Sequence, residues 1–199
     1  MSETSQFTDI PAGKIAAIVT YLEMRSMPQR SEATPPLPGA LRQIEQLDLD
    51  WYFDVYKRIG ADLLWFSRLA RSPDELASAL TDPDYAVYML EYEGQDEAIL
   101  ELDFREEGQC ELTLFGVSSG LVGRGVGRAL MQKAIEFAWS RPIERFWVHT
   151  GTLDHPRALP FYVRSGFTAY RRQVEIADDP RLTGALPRDA APQVPIIEP

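Results

Sequence analysis

A run of glycines ahead of an amphipathic helix is the feature of this sequence best suited to chemistry. In LFGVSSGLVGRGVGRALM (114–131), a strand ends at Val117, a short loop follows, and Gly123, Gly125 and Gly127 open a helix. Glycine lets the backbone approach a ligand closely and adopt left-handed conformations. The first amides of a helix have no intrahelical partner and carry the positive end of its dipole. Together these make an anion site of the kind that takes a pyrophosphate. The competing reading is a tight loop and nothing more. The spacing is G-x-G-x-G, not the dinucleotide G-x-G-x-x-G, and no Gly-Lys-Ser/Thr follows.

Two further side chains invite chemistry. Glu111 sits in an otherwise apolar strand, CELTLFGV (110–117). There, a raised pKa would suit a general base, while the plainer reading is an edge glutamate in solvent. Even spacing places Glu111, Thr113, Phe115 and Val117 on one face. Glu101 and Asp103 on the neighbouring strand are reserve bases. Tyr162 lies in HPRALPFYVRSGF (155–167), either as a functional hydroxyl or as a core tyrosine. His149 and His155 are the sole histidines, too few for a zinc site, and His149 reads as a packing residue. No metal is expected.

The elements that must position these groups follow from periodicity. Residues 14–24 read as a first strand and 27–39, rich in proline, as a loop. Residues 41–72 carry a helical rhythm around Trp51, Val55 and Ile59. Ser72 then caps a short helix that has Pro73 at its first position. Strands are predicted over 86–94, 98–108 and 110–117. The helix from Gly123 to Ser140 has one apolar face through Val126, Leu130, Ala134 and Ala138. A strand over 144–150 follows, then a helix from an Asp154 cap to Arg164, and a last strand over 167–176. Pro160 predicts a kink in that helix. Hairpins imply antiparallel pairs, and strand–helix–strand over 110–150 implies a parallel one. The expected class is α/β (α+β): a mixed sheet with helices on both faces. One domain over 1–177 is expected, with 178–199 as a Pro-rich arm or disordered tail.

Composition narrows the function classes. The chain has 199 residues and a net charge of −10, which disfavours nucleic acid as a partner. Residues 120–172 run against this trend, with nine basic residues and three acidic ones. That segment suits a small polyanion, while the plainer reading is an accident of sequence order that folding remixes in space. A lone cysteine, Cys110, excludes an intramolecular disulfide and cysteine zinc clusters. No apolar run reaches the roughly 18 residues of a membrane span, and the N-terminus is unlike a secretory signal. A cytoplasmic protein without membrane association is expected.

The glycine loop, the intervening strand and the tyrosine helix occur in an order that resembles the GNAT superfamily of acetyl-CoA-dependent N-acetyltransferases. The resemblance is specific over 110–176. The segment WVHTGTLDHPRALPFY (147–162) is similar to a mostly bacterial subgroup. The family's fold implies that the parallel strands splay apart and that acetyl-CoA inserts in the split. Its pyrophosphate would lie on Val122, Gly123, Arg124, Gly125, Val126, Gly127 and Arg128. The Val117 amide would polarise the thioester. Tyr162 matches the tyrosine that protonates the departing sulfur, and Glu111 matches a glutamate base. Val122 stands where Arg or Gln is usual, and His155 where Asn contacts the pantetheine arm. The acceptor would be a primary amine of a small molecule or peptide. It would be bound by Trp51, Tyr52, Asp54 and Phe115, where ring faces and carboxylates together suit a cation. Tyr56, Trp65 and Phe66 fall in the same early helices as Trp51 and Tyr52, and the competing reading of all these aromatics is core. The alternatives are an inactive CoA-binding regulatory module and an interaction domain working through its tail. A homodimer through the tail or the last strands is compatible with either.

Overall fold

The computed structural model describes residues 7–28 and 35–199. Part of the predicted loop over 27–39, residues 29–34, therefore lies outside the described residues. The chain runs through β1 (Lys14–Met24), β2 (Ala40–Gln43), α1 (Leu49–Gly60), α2 (Pro73–Leu80), β3 (Tyr85–Tyr92), β4 (Gln95–Asp103) and β5 (Gln109–Val117). It continues through α3 (Val126–Ala138), β6 (Arg145–Gly151), α4 (Ala158–Arg164) and β7 (Thr168–Asp178). Among the described residues, no helix is long and apolar enough to cross a membrane.

The predicted helical stretch 41–72 divides. Residues 40–43 pair with β3 as a strand, Ala40 opposite Glu91 and Gln43 opposite Tyr88. Four residues are too few to show a period. Helix α1 begins where the Asp48 carboxylate accepts the amides of Asp50 and Trp51, and it gives way to one tight turn over Ala61–Leu63. Leu64 then adopts a left-handed conformation, φ 52°, which no helix continues through. Ser72 caps α2 in a reciprocal box with Glu75.

The sheet order is β2-β3-β4-β5-β6-β1-β7, with β5 and β6 parallel and every other pair antiparallel. The N-terminal strand is thus inserted between β6 and the C-terminal strand. Helices cover both faces. On one, α3 and α4 pack Leu130, Ala134 and Tyr162 against Leu100, Leu112 and Val148. On the other, α1 and α2 pack Tyr52, Val55 and Leu76 against Val87, Met89 and Ile99.

Two irregularities coincide. The β5–β6 register runs from Gln109↔Arg145 only to Leu112↔Val148, although both strands continue beyond it. There the strands part. At the same place Glu101 pairs with Leu114 and Leu102 with Leu112, so Thr113 is an extra, bulged residue. The even alternation expected across Glu111, Thr113, Phe115 and Val117 is broken. Phe115 and Val117 pack with Leu112 in the α3 cluster, while Glu111, opposite Asp103, belongs to the other face.

Cys110 is fully buried, and burial pushes its thiol well above the ordinary range. Thiol reagents should leave it unlabelled in native buffer and modify it fully in denaturant. Native-state labelling at the rate of a free thiol would show that the α3 layer opens.

Beyond β7, residues 179–199 form turns without helix or strand. Asp179 and Arg181 are buried as an ion pair at 2.7 Å. The guanidinium also donates to the carbonyls of Ala190, Ala191 and Val194. Leu186, Ala190 and Ala191 cluster with Ile15 and Leu64.

Candidate active site

Where β5 and β6 part, a cleft of about 1210 Å³ opens. Its walls come from the bulged end of β5, the glycine loop, α4, the end of β6 and the segment after α1. Gly123 and Gly125 both take left-handed backbone, φ 84°. Gly125 is the N-cap of α3 and offers no side-chain cap, so the first helix amides are left to solvent or a ligand. Gly123, Gly125, Gly127, Val122 and Arg128 line the cleft. Arg124 and Val126 do not: Arg124 is exposed away from it, and Val126 is buried against the sheet. A Cβ added at Gly123 would meet nothing within 4 Å. One added at Gly125 would stand 3.0 Å from Pro35 Cγ, so the backbone is open at Gly123 and closely approached at the helix cap, and the basic segment adds Arg128, Arg157 and Arg164 to the walls. The Ser118 amide donates to Glu97 on β4. By strand alternation the Val117 amide faces the opened side.

Tyr162 is buried and lines the cleft. Its ring packs edge-on against Phe115, Phe161 and Phe167. Desolvation, aided by the Asp154 charge, holds its hydroxyl proton well above the ordinary phenol range. Phe115 lines the cleft and stacks on Phe161. His155 lies at the rim, where its Nδ1 accepts the Arg157 amide. Asp154 does not cap α4, which begins after Arg157. Its carboxylate accepts instead from Thr150 Oγ1, the Gly151 amide and Trp65 Nε1. Pro160 is the third residue of α4, a position whose amide needs no helical acceptor, so the expected kink has no cause.

The predicted acceptor residues on α1 lie away from the cleft. Tyr52 is fully buried, and its hydroxyl donates to Glu101 at 2.5 Å. Trp51 donates to Asp96 and lies beneath the Arg42 guanidinium. Asp54 is exposed and does not line the cleft. The helix turns those positions toward the sheet or solvent. Of the early aromatics, Tyr56, Trp65 and Phe66 do line the cleft, together with Ile59.

The contact between Trp65 and Asp154 is one that the sequence does not announce. Their hydrogen bond, 3.2 Å, joins the segment after α1 to the loop after β6. Two glycines make room for the indole. A Cβ at Gly116 would stand 2.5 Å from Trp65, and one at Gly60 only 2.3 Å from it. Gly60 and Gly116 facing one tryptophan is a signal that only tertiary pairing reveals.

The reserve bases are otherwise engaged. Glu101 is fully buried and accepts from Arg68, Tyr52 and Tyr85. Asp103 is clamped by Arg105, which holds it below the usual carboxylate range against the opposing effect of burial. Glu111 lies in a separate recess with Trp147 and Arg105, its Oε1 3.2 Å from His149 Nδ1. Among the described residues, no group of three His, Cys, Asp or Glu is placed to hold a metal.

Solved structures share this architecture. A GCN5-related N-acetyltransferase from Sphaerobacter thermophilus superposes with TM-score 0.59 at 15% identity, over 82% of this chain and 52% of that one. The ribosomal-protein-S18-alanine N-acetyltransferase of Escherichia coli gives TM-score 0.55 at 19% identity, over 69% of this chain and 90% of its own. An aminoglycoside acetyltransferase from an uncultured soil metagenomic sample, in complex with sisomicin, gives TM-score 0.54 at 16% identity, over 68% and 92%. At such identities the likeness is one of fold. The chain spans 63% of the length of a functionally unknown conserved Staphylococcus epidermidis protein with the same fold, TM-score 0.54 at 11% identity and 84% coverage of this chain. No curated protein matches the sequence. Residues 41–167 match the acetyltransferase (GNAT) family. The chain belongs to that family.

Proposed function

We propose that this chain is an acetyl-CoA-dependent N-acetyltransferase acting on a primary amine of a small molecule or peptide. One observation carries the reading. The left-handed glycine loop, the parted strands and Tyr162 all line a single cleft. The cosubstrate supplies an acetyl thioester. The amides opening α3, with Arg128, would hold its phosphates. The Val117 amide is available to a carbonyl in the split. The Tyr162 hydroxyl, kept protonated by burial, is a proton donor beside it. The amine would enter past Trp65, Phe66 and Tyr56, where Asp62 and Asp154 also line the wall.

Calorimetric titration of acetyl-CoA tests the cofactor half. Gly125→Glu would add backbone strain, because Gly125 is left-handed. Gly127→Glu is cleaner, since a Cβ there meets only Phe161 at 4.0 Å and a first-turn carboxylate suits the helix. We expect micromolar binding by the wild type, weakened at least about tenfold by Gly127→Glu. No binding by the folded wild type would make the loop architectural. The acceptor half is tested with a panel: an aminoglycoside, a peptide with a free N-terminal alanine and a linear diaminoalkane. Binding without transfer to any of them would favour a regulatory CoA-binding module.

A further inference from the structure

We propose that His149, oriented by Glu111, takes the proton from the acceptor amine. The proposal rests on the N-acetyltransferase reading above and concerns the one step that reading leaves without a residue.

The placement of the two side chains separates their roles. Pairing of β5 with β6 ends at Leu112↔Val148. His149 is therefore the first residue of β6 beyond the split, and it lines the cleft together with Thr113, Leu114 and Phe115. Glu111 does not line the cleft. It occupies the neighbouring recess, so a group in the cleft meets the imidazole and not the carboxylate. With Glu111 Oε1 3.2 Å from His149 Nδ1, the neutral ring keeps its proton on Nδ1 and donates it to the carboxylate. Its lone pair is left on Nε2. A carboxylate that fixes tautomer and orientation while the second ring nitrogen handles the proton is a recurring catalytic arrangement.

The surroundings support the same assignment. The ring lies 5.6 Å from Tyr21 on β1 and 6.3 Å from Trp147 on its own strand, so its plane is held. Its side chain is 45% exposed against 21% for Glu111, which gives the proton a way out to water. An alkyl amine arrives as an ammonium, with a pKa near that of lysine, about 10.4. The step balances as a proton transfer. The ammonium N–H bond breaks, Nε2 gains the proton, and the nitrogen lone pair is freed for attack. His149 becomes an imidazolium facing Glu111.

The charged and titratable groups facing His149 are Glu111 on β5, Glu175 on β7, Asp154 after β6 and Tyr21 on β1, with Arg171 lying over the Tyr21 ring. The hydrogen bond to Glu111, then the charges of Glu111, Asp154 and Glu175, raise the His149 pKa against the opposing effect of burial. A base must be unprotonated to act. kcat/KM should therefore rise with pH through a value above the ordinary 6.5 of histidine, and Glu111→Gln should move that limb to lower pH.

The chain has two histidines, so imidazole NMR gives two side-chain signals, and His155→Gln assigns them. We expect His149 to titrate above the ordinary value of histidine in the absence of any substrate. Its neutral form should carry the proton on Nδ1, and its pKa should fall in Glu111→Gln. In kinetics with acetyl-CoA and the best amine of the panel, His149→Gln should lose about 100-fold in kcat/KM and the acid limb. Glu111→Gln should lose less while shifting the limb, and both should bind acetyl-CoA as the wild type does. A neutral ring protonated on Nε2, or a His149→Gln enzyme with unchanged rate and limb, overturns the proposal and leaves the acetyltransferase reading standing. Wild-type protein that binds acetyl-CoA but acetylates no amine overturns both.

Discussion

Glu101→Ala is expected to destabilise the protein by about 3–5 kcal/mol, on the order of 10 °C in melting temperature. The carboxylate is fully buried under α1 and α2. It accepts from Arg68 at 2.6 Å, Tyr85 at 2.5 Å and Tyr52 at 2.5 Å, and Thr113 Oγ1 meets the Tyr85 hydroxyl at 2.6 Å. Burial opposes the Arg68 charge, but Glu101 outweighs it and holds the guanidinium above its ordinary range. Removing the acid strands that cation, whose Nε already lacks a partner. Losing one partner of a buried pair costs more than replacing both with apolar groups. Glu101→Leu combined with Arg68→Met should therefore recover much of the loss, as read by denaturant or thermal unfolding. A single variant as stable as the double would mean that the pair carries little. Because Thr113 is the bulged residue at the split, the single variant should also weaken binding in the cleft.

The second large effect is catalytic. Tyr162→Phe is expected to lower kcat about 100-fold while acetyl-CoA affinity stays within about twofold, since the ring keeps its packing on Phe115, Phe161 and Phe167. Burial and the Asp154 charge keep the hydroxyl protonated, so no loss of rate from its ionisation is expected below about pH 10. An unchanged kcat would reduce Tyr162 to a core residue. Lost affinity with unchanged kcat would assign it to binding.

Much of this was legible in the sequence. The glycine loop and α3 declare themselves through local rules, a period of 3.6 behind residues with left-handed preference. The Ser72 box and the strands over 85–117 are equally local. The residues that resisted reading depend on pairing between distant segments. Nothing in ELTLF announces that Thr113 bulges, because the cause is the mismatch with β4. Nothing in the spacing of Trp51, Tyr52 and Asp54 announces which turn of α1 meets the cleft. That was settled by the left-handed Leu64 and by Trp65 folding back over Gly60. Its own strand gives His149 only a packing role, because Glu111, 3.2 Å away, stands on the neighbouring parallel strand.

The position of β1 bears on the order in which the molecule can be assembled. The meander β3–β4–β5 closes through short hairpins and needs few residues to form. The other half of the sheet does not. Met24 pairs with Phe146, and Lys14 pairs with Asp178. β1 thus waits until residues 146–151 and 168–178 have been made before its two neighbours exist. The family match over 41–167 contains neither β1 nor β7. Long loop closures of this kind slow folding. In a nascent chain the half-sheet carrying the β6 edge of the cleft is completed late, after the hydrophobic meander that carries the β5 edge has already formed.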